Sequence, residues 1–132
     1  MDPVKISRLV GLANSEAKIS VVVDNSENIT ELFKAASRFG SNIYVFFEVD
    51  VGMGRCGVNT PQEVFALAER IVDSSEGLIF EGSQTYEGHL QYQRDIETRR
   101  LGVREMERKV GEIITFLEGL DIPDNTISGA GT

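Results

Sequence analysis

Short runs with strand-forming patterns alternate with helical patterns along this chain, and this alternation constrains the fold more than any other feature. Three runs are apolar and rich in β-branched residues: ISVVVD (19–24), NIYVFFEVDV (42–51) and GLIFEGSQTY (77–86). Such runs are typical of strands that are covered on both faces, as in parallel sheets. A fourth, TISGAGT (126–132), enters a glycine-rich turn. The alternation predicts an α/β fold with about four parallel strands and intervening helices in one domain, residues 1–132.

The segments between these runs carry the start and stop signals of helices. Thr60, with Pro61 and Glu63 after it, is a capping-box start, and Asn28 is the expected N-cap of the preceding helix. A leading helix comes before the first strand, and the longest helix should end at Pro123. The apolar stripes expected to face the sheet are Ile6, Leu9 and Val10; Ile29, Leu32, Phe33 and Ala36; Val64, Phe65, Ala68, Ile71 and Val72; and Val103, Met106, Val110, Ile113, Leu117 and Leu120.

Composition excludes several classes of partner. The chain has 132 residues, enough for one core, and its 21 acidic against 13 basic residues give a net charge of −8. This charge disfavours nucleic-acid binding. No apolar run approaches the roughly 20 residues that span a bilayer, the start MDPVKISRLVGL lacks the apolar core of a signal peptide, and one cysteine cannot form an internal disulfide. We therefore expect a cytoplasmic protein without nucleic-acid or membrane partners.

Polar residues gather where each predicted strand ends. In parallel α/β folds, ligands bind at the carboxyl ends of the strands. The opposite loops, SRFGSN and DSSEG, carry ordinary helix exits. This asymmetry predicts a binding site at the carboxyl edge, formed by Asp24 and Asn25, residues 50–56, Gln84, Tyr86 and His89, and residues 128–132.

Three of these stretches carry a family resemblance. EVDVGMGRCGV (48–58), EGSQTYEGHLQ (81–91) and ISGAGT (127–132), in this order, resemble the D-threonine aldolase and D-serine dehydratase group. The resemblance implies a fold-type III enzyme with an alanine-racemase-like barrel, pyridoxal 5′-phosphate and, in the full-length enzymes, a divalent metal. A complete barrel needs about 250 residues, so the chain should form a partial (β/α)8 TIM barrel.

The same resemblance suggests roles for individual residues. Arg55 would reach the phenolic oxygen of the cofactor or a nearby acidic group, because a guanidinium holds an oxyanion well. Tyr86 would lie against the pyridine ring near Gln84, and Tyr86 and His89 are the candidate catalytic residues. The candidate phosphate cradle is Ser128, Gly129, Gly131 and Thr132.

Two neighbours of Arg55 allow other readings. Asp50 could be a partner of Arg55 or could serve the turn. Cys56 with His89 falls short of the usual three or four ligands of a metal site, so we expect no metal site and a small buried thiol.

The family's cofactor-binding lysine has no evident counterpart. Lys18 precedes its strand, and Lys5, Lys34 and Lys109 fall in predicted helices, so we expect none at the carboxyl edge. The metal ligands that the family draws from its C-terminal domain are also absent. The chain should therefore be an internal, inactive part of a pyridoxal-phosphate lyase for D-hydroxy amino acids, with open sheet edges that favour homo-oligomers. A non-catalytic cofactor-binding module and a racemase-like protein are the alternatives.

Overall fold

The computed structural model describes residues 2–15, 17–74, 76–122 and 126–129. Helices and strands alternate along most of the chain. In chain order they are α1 Pro3–Ala13, β1 Ser20–Val23, α2 Ser26–Phe39, β2 Ile43–Glu48, α3 Pro61–Asp73, β3 Leu78–Thr85, α4 Gly88–Gln91, α5 Ile96–Glu118 and β4 Thr126–Gly129.

The strands form one four-stranded sheet in the order β1-β2-β3-β4. Each neighbouring pair is parallel, which confirms the predicted α/β arrangement. Helices α1, α2, α3 and α5 pack side by side, with contacts between α1 and α2, α2 and α3, and α3 and α5. Sequential parallel strands joined by outer helices are the arrangement of a (β/α)8 barrel, and this sheet is part of one.

The central strand β2 shows how the two faces of the sheet differ. Ile43, Val45 and Phe47 are fully buried and belong to the core between the sheet and the helices. Tyr44, Phe46 and Glu48 alternate with them and are half-buried. The face formed by Tyr44, Phe46 and Glu48 is the one that points into the barrel, and we call it the inner face. Its side chains are partly exposed.

A β-bulge in β3 changes which residues reach this inner face. The register pairs Val45 with Phe80 but Phe46 with Gly82, so Glu81 is an extra residue. Beyond the bulge, Glu48 pairs with Gln84. Because paired residues of parallel strands share a face, the bulge puts Gln84 on the inner face with Glu48.

The helix starts and stops agree with the sequence signals at most positions. The Thr60–Glu63 capping box is complete, and Gly40 ends α2 in the left-handed region with φ 64°. The expected N-cap Asn28 is wrong, because it lies one turn inside α2. Asn25 is the N-cap and accepts hydrogen bonds from the amides of Glu27 and Asn28.

The apolar stripes are confirmed in α1 and α2 and need correction in α3 and α5. Phe65 and Val72 are exposed, whereas Leu67, which the expected stripe omits, is buried. Helix α5 ends at Glu118 rather than at Pro123, which lies outside the described residues. The core of α5 consists of Val110, Ile113 and Leu117.

Two further findings complete the fold. The short helix α4 was not predicted, and it carries His89. No helix in the described parts of the chain has both the length and the apolar character that a bilayer span requires.

Candidate functional site

The predicted site residues come from loops that meet at the carboxyl edge of the sheet. The amide of Gly57 donates to Asp24 Oδ2 at 3.2 Å, which joins the loop after β2 to the end of β1. The guanidinium carbon of Arg55 lies 5.9 Å from the centroid of the Tyr86 ring, which joins the same loop to the end of β3. The Thr85 hydroxyl donates to the carbonyl of Ser128 in β4 at 3.4 Å. Parts of all four strand ends are thus connected.

The loop between β2 and α3 is closed at its base by backbone pairing. Val49 and Val58 form a parallel bridge, Val58 N donates to Glu48 O at 2.8 Å, and Asp50 N donates to Val58 O at 3.1 Å. We call residues 50–59 the arginine loop, because they carry Arg55.

Asp50 shapes the arginine loop with its side chain. Its Oδ1 accepts from the amides of Gly52 and Gly54, each at 3.0 Å. These hydrogen bonds, with Gly54 contributing most, lower the pKa of Asp50, although partial burial opposes them. Of the two readings left open for Asp50, the structure supports the turn.

Glu48 is the acidic partner of Arg55, and sequence reasoning missed this role. Nη2 of Arg55 lies 3.5 Å from Oε1 of Glu48. The Arg55 side chain is 56% exposed, whereas the Glu48 side chain is only 13% exposed. Burial raises the pKa of Glu48, and the Arg55 charge partly offsets the increase. The available signal was alternation, since Glu48 follows Tyr44 and Phe46 at every second position of β2.

Tyr86 lies across the start of α4. A Cβ placed on Gly88 would be 2.5 to 2.8 Å from the Tyr86 ring and hydroxyl, so glycine at this position lets the ring approach the backbone. Tyr86 is half-buried. Gln84, also half-buried, shares the inner face with Glu48 and accepts a backbone hydrogen bond from Val49 at 2.8 Å.

His89 contacts the arginine loop through a glycine. A Cβ on Gly52, which has φ 119°, would be 2.9 Å from both Cε1 and Nε2 of His89. His89 is otherwise exposed to solvent. Arg55, Tyr86 and His89 therefore belong to one connected group of residues, although their chemical roles remain predictions.

The candidate phosphate cradle is described in part. Ser128 and Gly129 are exposed on β4. A Cβ on Gly129 would be 2.7 Å from Oγ1 of Thr85, so this position requires a very small residue. Gly131 and Thr132 lie outside the described residues.

Two sequence expectations about individual residues are wrong. Cys56 is exposed rather than buried. Lys109 does reach the carboxyl edge: its ammonium donates to the carbonyl of Asp50 and, at 2.9 Å, to Oδ1 of Asn59. It reaches the edge from α5 in the outer helix layer, which sequence position alone does not reveal.

The other charged clusters offer little for a covalent or metal site. Lys18 pairs with Glu81, and its Nζ lies 4.3 Å above the Tyr44 ring, at the amino end of β2. Lys5 and Lys34 are exposed on α1 and α2. In the part of the chain that the structure describes, no three His, Cys, Asp or Glu residues are grouped to hold a metal ion.

Comparisons with known proteins agree with the geometry of the fold. The family model of the alanine racemase N-terminal domain matches residues 7–131. The chain is 34% identical to 3-hydroxy-D-aspartate aldolase of Paracoccus denitrificans (strain Pd 1222) over 131 residues, 99% of this chain and 34% of that protein. It is 40% identical to D-threonine aldolase of an Arthrobacter species over 130 residues, 98% of this chain and 34% of that protein.

One solved structure has the same fold over almost the whole of this chain. The crystal structure of D-threonine aldolase from Filomicrobium marinum matches with a TM-score of 0.94 and 29% identity, over 99% of this chain and 35% of that chain. The chain thus spans 34% of the length of the two aldolases compared by sequence. Since the family model covers nearly all of it, the chain belongs to the family of the alanine racemase N-terminal domain.

Proposed function

We propose that this chain forms the cofactor-orienting part of a pyridoxal-phosphate-dependent lyase that acts on D-hydroxy amino acids. The observation that carries the proposal is the position of Arg55 between the Glu48 carboxylate and the Tyr86 ring. The names of the two aldolases, at 34% and 40% identity, support a lyase over a racemase. The acting unit would be a single partial barrel domain of a cytoplasmic enzyme.

Arg55 suits an anionic oxygen on a planar ligand. Its guanidinium is permanently charged and carries planar donors, and its exposed fraction leaves donors free beyond the Glu48 contact. Neighbouring Cys56 and then Glu48 raise the pKa of Arg55, so the charge persists at every physiological pH. Arg55 would hold the phenolic oxygen of the cofactor.

Tyr86 and His89 suit the ring and the proton transfers. An aromatic face near a cation can stack on a pyridine ring. His89 is exposed, and an imidazole can both give and take a proton, which suits a group that transfers protons. Gln84 would orient the ring from the inner face, and Ser128, Gly129, Gly131 and Thr132 would bind the phosphate.

Bound pyridoxal phosphate supplies the electron sink for cleavage of the substrate. The residues of this chain fit the oxygen and the ring of that group. They do not fit its covalent attachment, because Lys18 pairs with Glu81 at the amino end of β2 and Lys5 and Lys34 are exposed on outer helices. Lys109 reaches the carboxyl edge, but its ammonium is bound by two acceptors of the arginine loop. We therefore propose that the isolated chain binds the cofactor reversibly and is inactive, and that other segments supply the lysine and any divalent metal.

Calorimetric titration of the chain with pyridoxal phosphate and with pyridoxamine phosphate tests cofactor binding. We expect reversible binding that weakens about fivefold or more in Tyr86→Ala, as the loss of a stacked face implies. Arg55→Lys, which keeps the charge but loses the planar fork, should also weaken it. Lys34→Met, an exposed substitution on α2, is the control. Equal affinity in all four proteins would contradict the proposal.

Borohydride reduction with peptide mapping tests covalent attachment. We expect scattered, substoichiometric labelling of Lys5, Lys18, Lys34 and Lys109. Stoichiometric labelling of one of them would overturn the claim that the lysine comes from elsewhere.

A chimera tests the lyase activity itself. Here the chain replaces the matching segment of the Filomicrobium marinum aldolase, whose structure it matches at a TM-score of 0.94. We expect the chimera to cleave D-threonine and Arg55→Lys to lower its kcat/KM by roughly tenfold or more. A folded chimera that binds the cofactor but never cleaves a D-hydroxy amino acid would instead support a non-catalytic module.

A further inference from the structure

The ammonium of Lys109 joins the two ends of the arginine loop. It donates to the carbonyl of Asp50, the first residue of the loop, and to Oδ1 of Asn59, the last, at 2.9 Å. Lys109 lies on α5, 50 residues after Asn59, and is half-buried, whereas Lys5, Lys18 and Lys34 are exposed. The ammonium of a half-buried lysine requires hydrogen-bond acceptors, and both acceptors here come from the loop.

Three carboxylates also hold the backbone of the loop. Asp24 accepts from the amide of Gly57, Asp50 accepts from the amides of Gly52 and Gly54, and Glu63 accepts from the amide of Asn59 at 2.6 Å. Each carboxylate fixes one segment of the loop. Lys109 differs from them because one side chain binds both ends at once.

The charge of Lys109 also complements these carboxylates. Its positive charge helps to lower the pKa of Asp50, after the backbone hydrogen bonds of that residue. It acts in the same direction on the pKa of Glu63, again after backbone hydrogen bonds. Lys109 therefore stabilises both the backbone and the ionised carboxylates that shape the loop.

We propose that Lys109 is a positioning residue, which fixes the ends of the arginine loop and so keeps the Arg55 guanidinium between Glu48 and Tyr86. This inference deepens the proposed function, which gives Arg55 its purpose. The coupling between Lys109 and Arg55 is geometric, however, and can be measured without any cofactor.

The test compares Lys109→Met, which keeps an apolar stem of similar length, with Lys109→Arg, which keeps a cation and its donors. Lys34→Met is the control. Amide hydrogen exchange by NMR reports the loop at Gly52, Gly54 and Gly57. We expect exchange there to accelerate about tenfold or more in Lys109→Met, as loss of a hydrogen bond to a charged group implies. Lys109→Arg should retain most of the protection.

Titration of Glu48 by carboxyl-carbon NMR reports the position of Arg55. Arg55 lowers the pKa of Glu48, so displacement of the guanidinium in Lys109→Met should raise that pKa. A role of Lys109 in packing alone would leave both readouts unchanged in Lys109→Met, since methionine preserves the stem. Unchanged loop exchange and an unchanged Glu48 titration would therefore overturn the proposal.

A second variant covers the case in which Lys109→Met fails to fold. Asn59→Ala, at an exposed site, removes one acceptor of the ammonium and leaves α5 intact. It also removes the donation from Asn59 Nδ2 to the Gly57 carbonyl at 3.4 Å, so Asn59→Asp, which loses that donor but keeps the acceptor, is its control. Faster exchange at Gly52 and Gly54 in Asn59→Ala supports the proposal, and unchanged exchange there overturns it. If the loop readouts respond but the chain binds no pyridoxal phosphate, the positioning role stands and the proposed function fails instead.

Discussion

The arginine loop depends on a single residue type at position 57. Gly57 has φ 111°, and a Cβ there would lie 2.5 Å from the nitrogen of Asp50 and 2.9 Å from the carbonyl carbon of Val49. Both neighbours are backbone atoms of the loop base, which cannot move without breaking the Val49–Val58 bridge. The loop therefore combines a strained conformation with a close approach that excludes every side chain.

We expect Gly57→Ala to lower the free energy of unfolding by about 1–3 kcal/mol. Urea denaturation followed by circular dichroism measures the change. Gly111→Ala is the matched control, because Gly111 lies inside α5 with nothing within 4 Å of a new Cβ, and alanine there should stabilise the chain by about 0.5–1 kcal/mol. Equal effects at the two positions would contradict the strained loop.

Glu48 gives the site a distinctive pH dependence. Its pKa is raised by burial in the folded state, so the protonated form is favoured there relative to the unfolded chain. The stability it contributes is fully present below the ordinary pKa of glutamate, about 4.3, and is lost as the pH rises through the higher folded pKa. Ionised Glu48 is thus a cost to folding at neutral pH.

Replacement of Glu48 by glutamine should flatten this dependence. We expect Glu48→Gln to be at least as stable as the parent at pH 7, and the stability of the parent to fall more than that of the variant as the pH rises from 4 to 7. Urea denaturation at four pH values measures both. Glu97→Gln, at an exposed site on α5, is the control. If the stability of Glu48→Gln relative to the parent were lower at pH 7 than at pH 4, the predicted sign of this pH dependence would be wrong.

At this scale the sequence predicted which candidate residues lie at the carboxyl edge of the sheet but not their partners. Arg55 and Tyr86 were predictable because each follows a strand of a parallel sheet, and strand ends meet at one edge. Lys109 was not, because its contact with Asp50 depends on how α5 packs against α3. Cys56 was misjudged because small thiols are usually buried, while this one lies on an exposed loop.

Among the elements, α2 shows what decides between two competing caps. Asn25 and Asn28 are both suitable by residue type. Asn25 has the extended backbone, φ −143°, that an N-cap requires, and its side chain accepts from two amides of the first turn. The connection between β1 and α2 is so short that α2 begins directly after it. The local sequence does not encode the length of this connection.

We expect Asn25→Ala to destabilise the chain by about 1 kcal/mol, since it removes the cap of α2. Asn25→Asp should retain stability, because a carboxylate accepts the same hydrogen bonds and interacts favourably with the helix dipole. Thermal unfolding followed by circular dichroism compares the two. If aspartate costs as much as alanine, the cap does not act through its side-chain oxygen.

The helical stripes were predicted well where one face of a helix meets the sheet. Val64, Ala68 and Ile71 are buried as expected, but the flanking Phe65 and Val72 are not, and Leu67 takes their place. Apolar residues beside a stripe can fall on either side of it. The direction in which a helix lies against its neighbours then decides which of them are covered, and this is a tertiary property.

For the whole molecule, the open sheet is the dominant feature. β1 and β4 are the edge strands, and Val22 and Ile127 on them are 45% and 50% exposed. Unpaired strand edges and exposed apolar side chains favour association between chains. The number and order of the strands were predictable from the alternating pattern. Which apolar side chains are exposed depends on which strands lie at the edges of the sheet.

We therefore expect the isolated chain to self-associate, with an average mass in sedimentation equilibrium that rises with concentration. Val22→Lys combined with Ile127→Lys should reduce this, because charges on edge strands oppose pairing. Leu101→Lys, at an exposed position of α5, is the control and should leave association unchanged. A monomer at all concentrations would contradict this expectation.

The extra residue in β3 decides on which face of the sheet each later residue of that strand lies. With Glu81 as the extra residue, Gln84 shares a face with Glu48. Without the bulge, the same sequence would continue in regular alternation, so that Ser83 would lie beside Glu48 and Gln84 would turn toward the helices. Segments exchanged between members of this family must therefore be aligned by their pairing with β2 rather than by residue count alone. A graft of the same length that paired with β2 in regular alternation would keep Gln84 in the sequence and lose its place beside Glu48.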